Sequence, residues 1–321
     1  MRTTDTHAGA PSCDHARMET LRTLTYETTG RIARITLNRP ARGNGITPEM
    51  PRELSACVER ACLDPAVHVI ALSGNGTGFC GGYDLVWSAE QNVQPGELEP
   101  VPSGSPIDPA VIARNHSPQE TWDPVLDWQM MSRNVRGFMS LLHADKPVVT
   151  KVHGFCVAGG TDMALCSDLL VVEDSAKIGY PPARVWGVPT TALWAQRIGI
   201  TRAKRLLLTG DSISGAEAVE WGLACEAAPA AELDARFEAL LERVARVPVN
   251  QLILHKQLLN ATLLGTPVSG TQLLGTLMDG IARHTPEGYG FMQKAMEHGF
   301  KEAVRARDEP FGDHGRSTHR G

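Results

Sequence analysis

The stretch His153-Gly-Phe-Cys-Val-Ala-Gly-Gly160, running on into Thr161-Asp162-Met163-Ala164-Leu165-Cys166, most constrains what this chain can become. Residues 147–152 stand just before it, mostly β-branched, and read as a buried strand. Gly159 and Gly160 carry no Cβ, so the backbone can turn tightly and another molecule can come close to its N–H groups. A strand, a glycine pair and a helix start in succession expose unpaired N–H groups at a positive dipole end, a natural place for an anion. A second strand, residues 69–74, leads into Asn75-Gly-Thr-Gly-Phe-Cys-Gly-Gly-Tyr-Asp-Leu85. Two strand-to-glycine-loop units can each present one backbone N–H, and two fixed donors are what a reaction through a thioester enolate requires.

Composition removes several other classes. The net charge is −5 and the lysines and arginines are scattered, so no basic stripe suits nucleic acid. No apolar run approaches a membrane span and the N-terminus carries no hydrophobic signal segment, so a soluble, cytoplasmic protein is expected. The seven cysteines, at 13, 57, 62, 80, 156, 166 and 225, include no Cys-x-x-Cys pair and argue against disulfides or a zinc site. Cys80 and Cys156 lie in the glycine-rich stretches and are expected to line them rather than attack substrate.

The organisation reads as three parts: a polar tail over residues 1–22, a core over 23–229, and a helical region over 230–321. Within the core, residues 88–124 hold seven prolines among Gly, Ser and Glu and look like an insertion, either a lid or a surface loop. Alternation marks a strand at residues 32–37. Thr47-Pro48-Glu49 reads as a helix start with Thr47 as cap, continuing through Leu54, Val58 and Ala61. Residues 125–142 place Met131, Val135, Phe138 and Leu142 on one helical stripe. A later helix is expected to be capped by Thr201 and closed at Gly210. Farther on, Leu240, Leu241, Val244 and Val247 form an apolar face, and another helix spans residues 251–264.

Taken in order, Asn38-Arg39-Pro40 with Asn44, Phe79-Cys-Gly-Gly-Tyr-Asp-Leu85, and Lys146-Pro147 through Asp168 resemble the crotonase superfamily, the enoyl-CoA hydratase/isomerase family. Leu206-Leu-Leu-Thr-Gly210, Ala216-Glu-Ala218 and Trp221-Gly-Leu223 extend the resemblance, which covers about residues 23 to 260. It implies an α/β fold, a right-handed spiral of ββα units followed by C-terminal helices. It also implies an acyl-CoA substrate with coenzyme A as carrier, no metal or redox cofactor, and a homotrimer or dimer of trimers.

Carried across residue by residue, the resemblance puts the two oxyanion donors on the backbone N–H groups of Tyr83 and Gly159. Gly82 and Gly160 would allow the close approach to the thioester, and Tyr83 would shape the pocket beside it. Arg42 is a candidate contact for the coenzyme A phosphates, or a plain solvated arginine. The catalytic carboxylate three positions after Gly159 is Asp162, where the family usually has glutamate. The side chain is one methylene shorter, and a misplacement of ~1 Å can cost on the order of a hundredfold in rate. Asp162 could instead be a helix-start carboxylate favoured by the dipole.

The second hydratase glutamate would follow Gly179-Tyr180-Pro181, and here that position is Pro182, which cannot move a proton. Three repairs are open: Asp162 performs both proton steps, the Tyr180 phenol takes part, or a group from the inserted region returns to the pocket. For the last, His116, Glu120, Asp123 and Asp127 are nearest, with Trp122 and Trp128 as lining. Tyr180 and Pro182 are in any case expected beside the substrate. The expected function is enoyl-CoA hydratase-like processing of an acyl-CoA through a thioester enolate. The alternatives are an isomerase, a hydrolase or lyase of the same superfamily, or a non-catalytic acyl-CoA-binding member.

Overall fold

The computed structural model describes residues 18–84, 101–264 and 268–312. The expected tail up to residue 17 and the first part of the insertion, residues 88–100, lie outside the described residues. Among the described residues ten strands make two sheets: β1 (Glu19–Thr20), β2 (Leu24–Thr29), β3 (Ile32–Leu37), β4 (Val69–Gly74), β5 (Val148–Val152), β6 (Phe155–Val157), β7 (Leu169–Glu173), β8 (Lys177–Gly179), β9 (Ser212–Ile213) and β10 (Glu226–Ala228). The larger sheet has the order β1-β2-β3-β4-β5-β7-β10 and the smaller β6-β8-β9. From β3 to β10 the larger sheet is parallel. Successive turns of the chain thus leave one strand in the large sheet and a short one in the small sheet, β5 then β6, β7 then β8, as a spiral of ββα units requires. Glu19–Thr20, at the end of the expected tail, pair antiparallel with β2.

Period-two alternation sends the large sheet's side chains to two cores. Ala33, Ile35, Ile70, Leu72, Val148 and Val172 join the main core, with Leu54, Val58, Phe138 and Leu142 from two helices. Ile32, Val69, Ala71, Val149 and Val171 face the other way, under Leu233, Phe237 and Leu241 of the Ala230–Ala245 helix. The apolar face of that helix is therefore centred on Leu233, Phe237 and Leu241, with Leu240 and Val244 at its flank, and Val247, past its end, is exposed. The Pro124–His143 helix buries Met131, Val135, Phe138 and Leu142 as the stripe predicts.

Two helix starts differ from expectation. Thr47 makes no cap bond, because the cap position of the Glu49–Leu63 helix falls on Pro48, whose backbone is already helical. The other helix runs Ile200–Thr209 after Gly199, so Thr201 lies inside its first turn, while Gly210 does close it in the left-handed conformation. Tertiary chain paths set both starts, overriding the local cap preference.

Buried lysines fix the strand that leads to the central turn. Lys146 donates from Nζ to the carbonyl of Ala61 at 2.8 Å, where the Glu49–Leu63 helix ends. Lys256, in the Val249–Leu264 helix, pairs with Asp168 at 2.8 Å and donates to the carbonyls of Leu141 and Lys146. Asp168 in turn accepts the Val148 N–H at 2.7 Å.

Candidate active site

The first glycine loop is organised by Asn44. Its side-chain amide donates to the carbonyls of Asn75, Gly78 and Phe79, its oxygen accepts the Arg39 N–H, and its backbone takes φ 53°. Arg39 pairs with Asp84 at 2.7 Å just beyond the loop. The motif Asn38-Arg39-Pro40 with Asn44 is thus a brace for this loop. Ile46 then bridges to it: its N–H donates to the Gly82 carbonyl at 2.8 Å and its carbonyl accepts the Asp84 N–H at 3.0 Å. The Tyr83 N–H, between those two, donates no backbone hydrogen bond among the described residues.

The second loop leaves β6 with the Val157 N–H on the Cys80 carbonyl and the Ala158 N–H on the Gly179 carbonyl. The chain reverses at Ala158, with φ 55° and ψ −129°, a conformation that costs a non-glycine residue about 1 to 3 kcal/mol and recurs at functional sites. The Gly159–Ala164 helix starts there, and the Gly159 N–H likewise donates no backbone hydrogen bond among the described residues.

The two loops touch at their glycines. A Cβ on Gly82 (φ +97°) would stand 2.7 Å from the Ala158 Cβ and 3.4 Å from the Gly159 nitrogen, and one on Gly160 would stand 2.5 Å from the Cys80 carbonyl oxygen. A Cβ on Gly159 would meet the Tyr83 ring and Ile46 at 2.9 Å. Only glycine admits this approach, which brings the loop that carries the Tyr83 N–H against the loop that carries the Gly159 N–H.

Asp162 is fully buried on the same helical turn. Its Oδ1 accepts from the Thr191 N–H at 3.0 Å and from the Thr191 hydroxyl at 2.8 Å. Its Oδ2 is buried with no hydrogen-bond partner among the described residues. Burial pushes this carboxyl up to about 6, against the pull of the Thr191 bonds, with the neighbouring carboxylate of Asp279 adding to the rise. A group that gains and loses a proton near neutrality suits acid–base work. The thiols of Cys80, pushed up to about 12, and of Cys156 are raised by burial and so lack nucleophilic character.

The other predicted residues divide. Tyr180 is buried and its phenol donates to the Val188 carbonyl at 3.0 Å, while burial, with Asp162 and Asp279 nearby, holds its proton well above the usual range. A bonded phenol of that kind is a brace and not a proton donor. Pro182 belongs to a short 3-10 turn, Pro181–Arg184, its carbonyl accepts the N–H groups of Val185, Trp186 and Gly187, and its ring lies against Gly187. A turn-former therefore occupies the position of the second carboxylate. Arg42 is exposed at the end of the turn Pro40–Arg42.

Among the described residues of the insertion, the four titratable candidates are each engaged elsewhere or exposed. Asp123 caps the Pro124–His143 helix by accepting from the Val125 and Leu126 N–H groups, and Glu120 is exposed. Asp127 is held through both oxygens by Arg283 at 3.0 and 2.9 Å. His116 accepts from Arg283 at Nε2 and donates from Nδ1 to the Ile112 carbonyl, and burial together with Arg283 lowers its pKa to about 4. Trp122 stacks on His284 at 4.6 Å. His116, Asp127 and His284 bring ligand atoms within 4.8 Å of one another, yet the Arg283 guanidinium already supplies the positive charge there, so the group does not suit a metal ion. The insertion also lines a cleft of about 370 Å³ with Arg52, Arg133 and Arg136, which none of the predicted site residues faces. Sequence reasoning missed Thr191 and Asp279. No helix among the described residues is long and apolar enough to cross a membrane.

Comparison with known proteins agrees with this fold. A family model described as enoyl-CoA hydratase/isomerase matches residues 27–99 and 126–284. A crystal structure of an enoyl-CoA hydratase from Mycobacterium smegmatis is 57% identical, superposes with a TM-score of 0.86, and is matched over 92% of this chain and 96% of that one. A provisionally named enoyl-CoA hydratase of Thermus thermophilus is 30% identical over 72% of this chain and 81% of its own. The 1,2-epoxyphenylacetyl-CoA isomerase of Escherichia coli is 28% identical over 72% and 79%. The chain belongs to the enoyl-CoA hydratase/isomerase family and is an enoyl-CoA hydratase-like enzyme that processes acyl-CoA.

Proposed function

We propose that the protein adds water reversibly to a 2-enoyl-CoA, with Asp162 as its single acid–base group and the backbone N–H groups of Tyr83 and Gly159 as the oxyanion hole. The observation that carries this reading is the Asp162 carboxyl, buried with an unpartnered Oδ2 three residues beyond Gly159. Asp162 takes a proton from water as the water oxygen bonds to Cβ of the enoyl group. The electron pair of the double bond moves through Cα to the thioester oxygen, where the two N–H donors hold the enolate. The protonated Asp162 then returns its proton to Cα, giving the 3-hydroxyacyl-CoA. Coenzyme A enters as the carrier of the acyl group, Arg42 is a candidate for its phosphates, and the steps call on no metal or redox group.

A panel of 2-enoyl-CoA thioesters, followed by loss of the conjugated-thioester absorbance, tests the reaction. Gly159→Val should lower turnover by about 10²- to 10³-fold by pushing the Tyr83 ring and blocking one donor. Near-normal turnover by that variant would rule out the oxyanion site.

The C-terminal helices support a trimer or a dimer of trimers. Leu254, Leu258, Leu273, Leu274, Met278 and Ile281 are exposed on the Val249–Leu264 and Val268–Arg283 helices, an apolar surface of the kind that association covers. Light scattering should give the mass of three or six chains, and a monomer at micromolar concentration would remove this assignment. A cytoplasmic location belongs to the same reading.

A further inference from the structure

The two oxygens of the Asp162 carboxyl are not equivalent. Oδ1 receives both the N–H and the hydroxyl of Thr191, at 3.0 and 2.8 Å, and Oδ2 receives nothing among the described residues. Thr191 is itself fully buried. It ends a segment, residues 188–191, that is gripped from several sides. The Val188 N–H donates to Asp279 at 3.1 Å and the Val188 carbonyl accepts the Tyr180 phenol. The Val268–Arg283 helix meets the segment through Gly275, where a Cβ would lie 2.8 Å from the Pro189 carbonyl oxygen. Ala192, the next residue, takes φ 54°, a conformation rare outside glycine that persists only where the surroundings enforce it.

We propose that Thr191 is a positioning residue for Asp162, fixing Oδ1 so that Oδ2 is the atom that exchanges a proton with water and with the α carbon of the substrate. The proposal rests on the reading of Asp162 as the acid–base group. An aspartate has one methylene fewer than glutamate with which to adjust its reach, so its carboxyl must be placed by what surrounds it. Two donors converging on one oxygen stop the carboxyl from rotating about its own bond, and the braced segment ties the reacting atom to the Val268–Arg283 helix. The same two bonds, and to a lesser degree the Thr190 backbone N–H, favour the charged form, against the burial that favours the neutral one. The other titratable groups facing Asp162 are Asp279 on the Val268–Arg283 helix, Tyr83 in the first glycine loop, Tyr180 after β8, Cys156 in β6, and Cys166 after the Gly159–Ala164 helix.

Thr191→Val keeps the shape of the side chain and removes the hydroxyl while the backbone bond stays. With a short 2-enoyl-CoA, kcat should fall by about ten- to a hundredfold and KM should stay within about twofold. The acid limb of the pH–rate profile should move upward by about one unit, because the carboxylate has lost a charge-favouring bond. Thr191→Ser, which restores the hydroxyl, should bring back both the rate and the limb. A wild-type limb and rate in Thr191→Val would overturn the proposal, and so would a Thr191→Ser enzyme as impaired as Thr191→Val, since that pattern belongs to packing. Should Thr191→Val fail to fold, Thr191→Ala, which can clash with nothing, is judged by the same two readouts. Asp162→Asn separates the two levels: if it turns over normally, Asp162 is not the acid–base group and Thr191 has nothing to position; if it is inactive, the Thr191 variants decide.

Discussion

Buried acids accept from both ends of the segment 188–191, Asp279 from Val188 and Asp162 from Thr191, and they are built in opposite ways. Asp127 and Asp279, 2% and 5% exposed, share the Arg283 guanidinium, which bonds both oxygens of Asp127 and donates from Nε to Asp279 at 3.1 Å. His116 accepts a further N–H of the same guanidinium. Asp162, 0% exposed, accepts two bonds from Thr191, has the Thr190 backbone beside it, and pairs with no cation among the described residues. Burial of charge therefore does not by itself distinguish function from architecture. A buried acid matched to a cation serves to join elements, here the insertion, the Pro124–His143 helix and the Val268–Arg283 helix. A buried acid left without one is unfavourable to the fold and persists where it has a proton to move.

The larger expected effect comes from breaking the matched group. Arg283→Met keeps most of the side-chain bulk but leaves Asp127 and Asp279 without their cation. Urea unfolding at neutral pH should show a loss of about 3 to 5 kcal/mol, the usual cost of removing one partner from a buried pair. A loss below about 1 kcal/mol would mean that the group is solvated in the working enzyme, and the distinction from Asp162 would fail.

The difference between the groups also explains what could be read from the sequence. The strand, the tight turn and the helix start around Gly159 and Gly160 were legible because each is local. The strands at Ile32–Leu37 and Val69–Gly74 were legible because two-sided burial writes itself into alternating or continuous apolar residues. The roles of His116 and Asp127 were not, because the Arg283 that defines them is 167 and 156 residues away. Thr191 carries no signal at all, since a threonine in a loop looks the same whether or not it reaches a carboxylate. Thr47 and Thr201 show the reverse error: each is a good cap residue by type, and the chain path gives the helix a different start.

The smaller effect, opposite in sign, comes from neutralising the unmatched acid. The Asp162 carboxyl is raised from its ordinary value of 3.8 to about 6 by burial. In the unfolded chain it gives up its proton near pH 4, whereas the folded protein holds that proton until about pH 6. Between those values the folded state binds more protons, so the contribution of Asp162 to stability is fully present below pH 4 and is lost as pH rises through about 6. Asn has no such titration, and its carbonyl oxygen can still accept both Thr191 bonds. Asp162→Asn should therefore match the wild type in stability near pH 4 and gain on it by about 3 kcal/mol by pH 7 to 8, the gain opening across that window. At the same time its kcat should fall by about 10²- to 10⁴-fold. A variant that gains stability while losing turnover is what a carboxylate kept for proton transfer predicts. If Asp162→Asn instead loses stability at every pH, as Arg283→Met should, then Asp162 belongs with the structural acids and the proton chemistry must be sought elsewhere in the pocket.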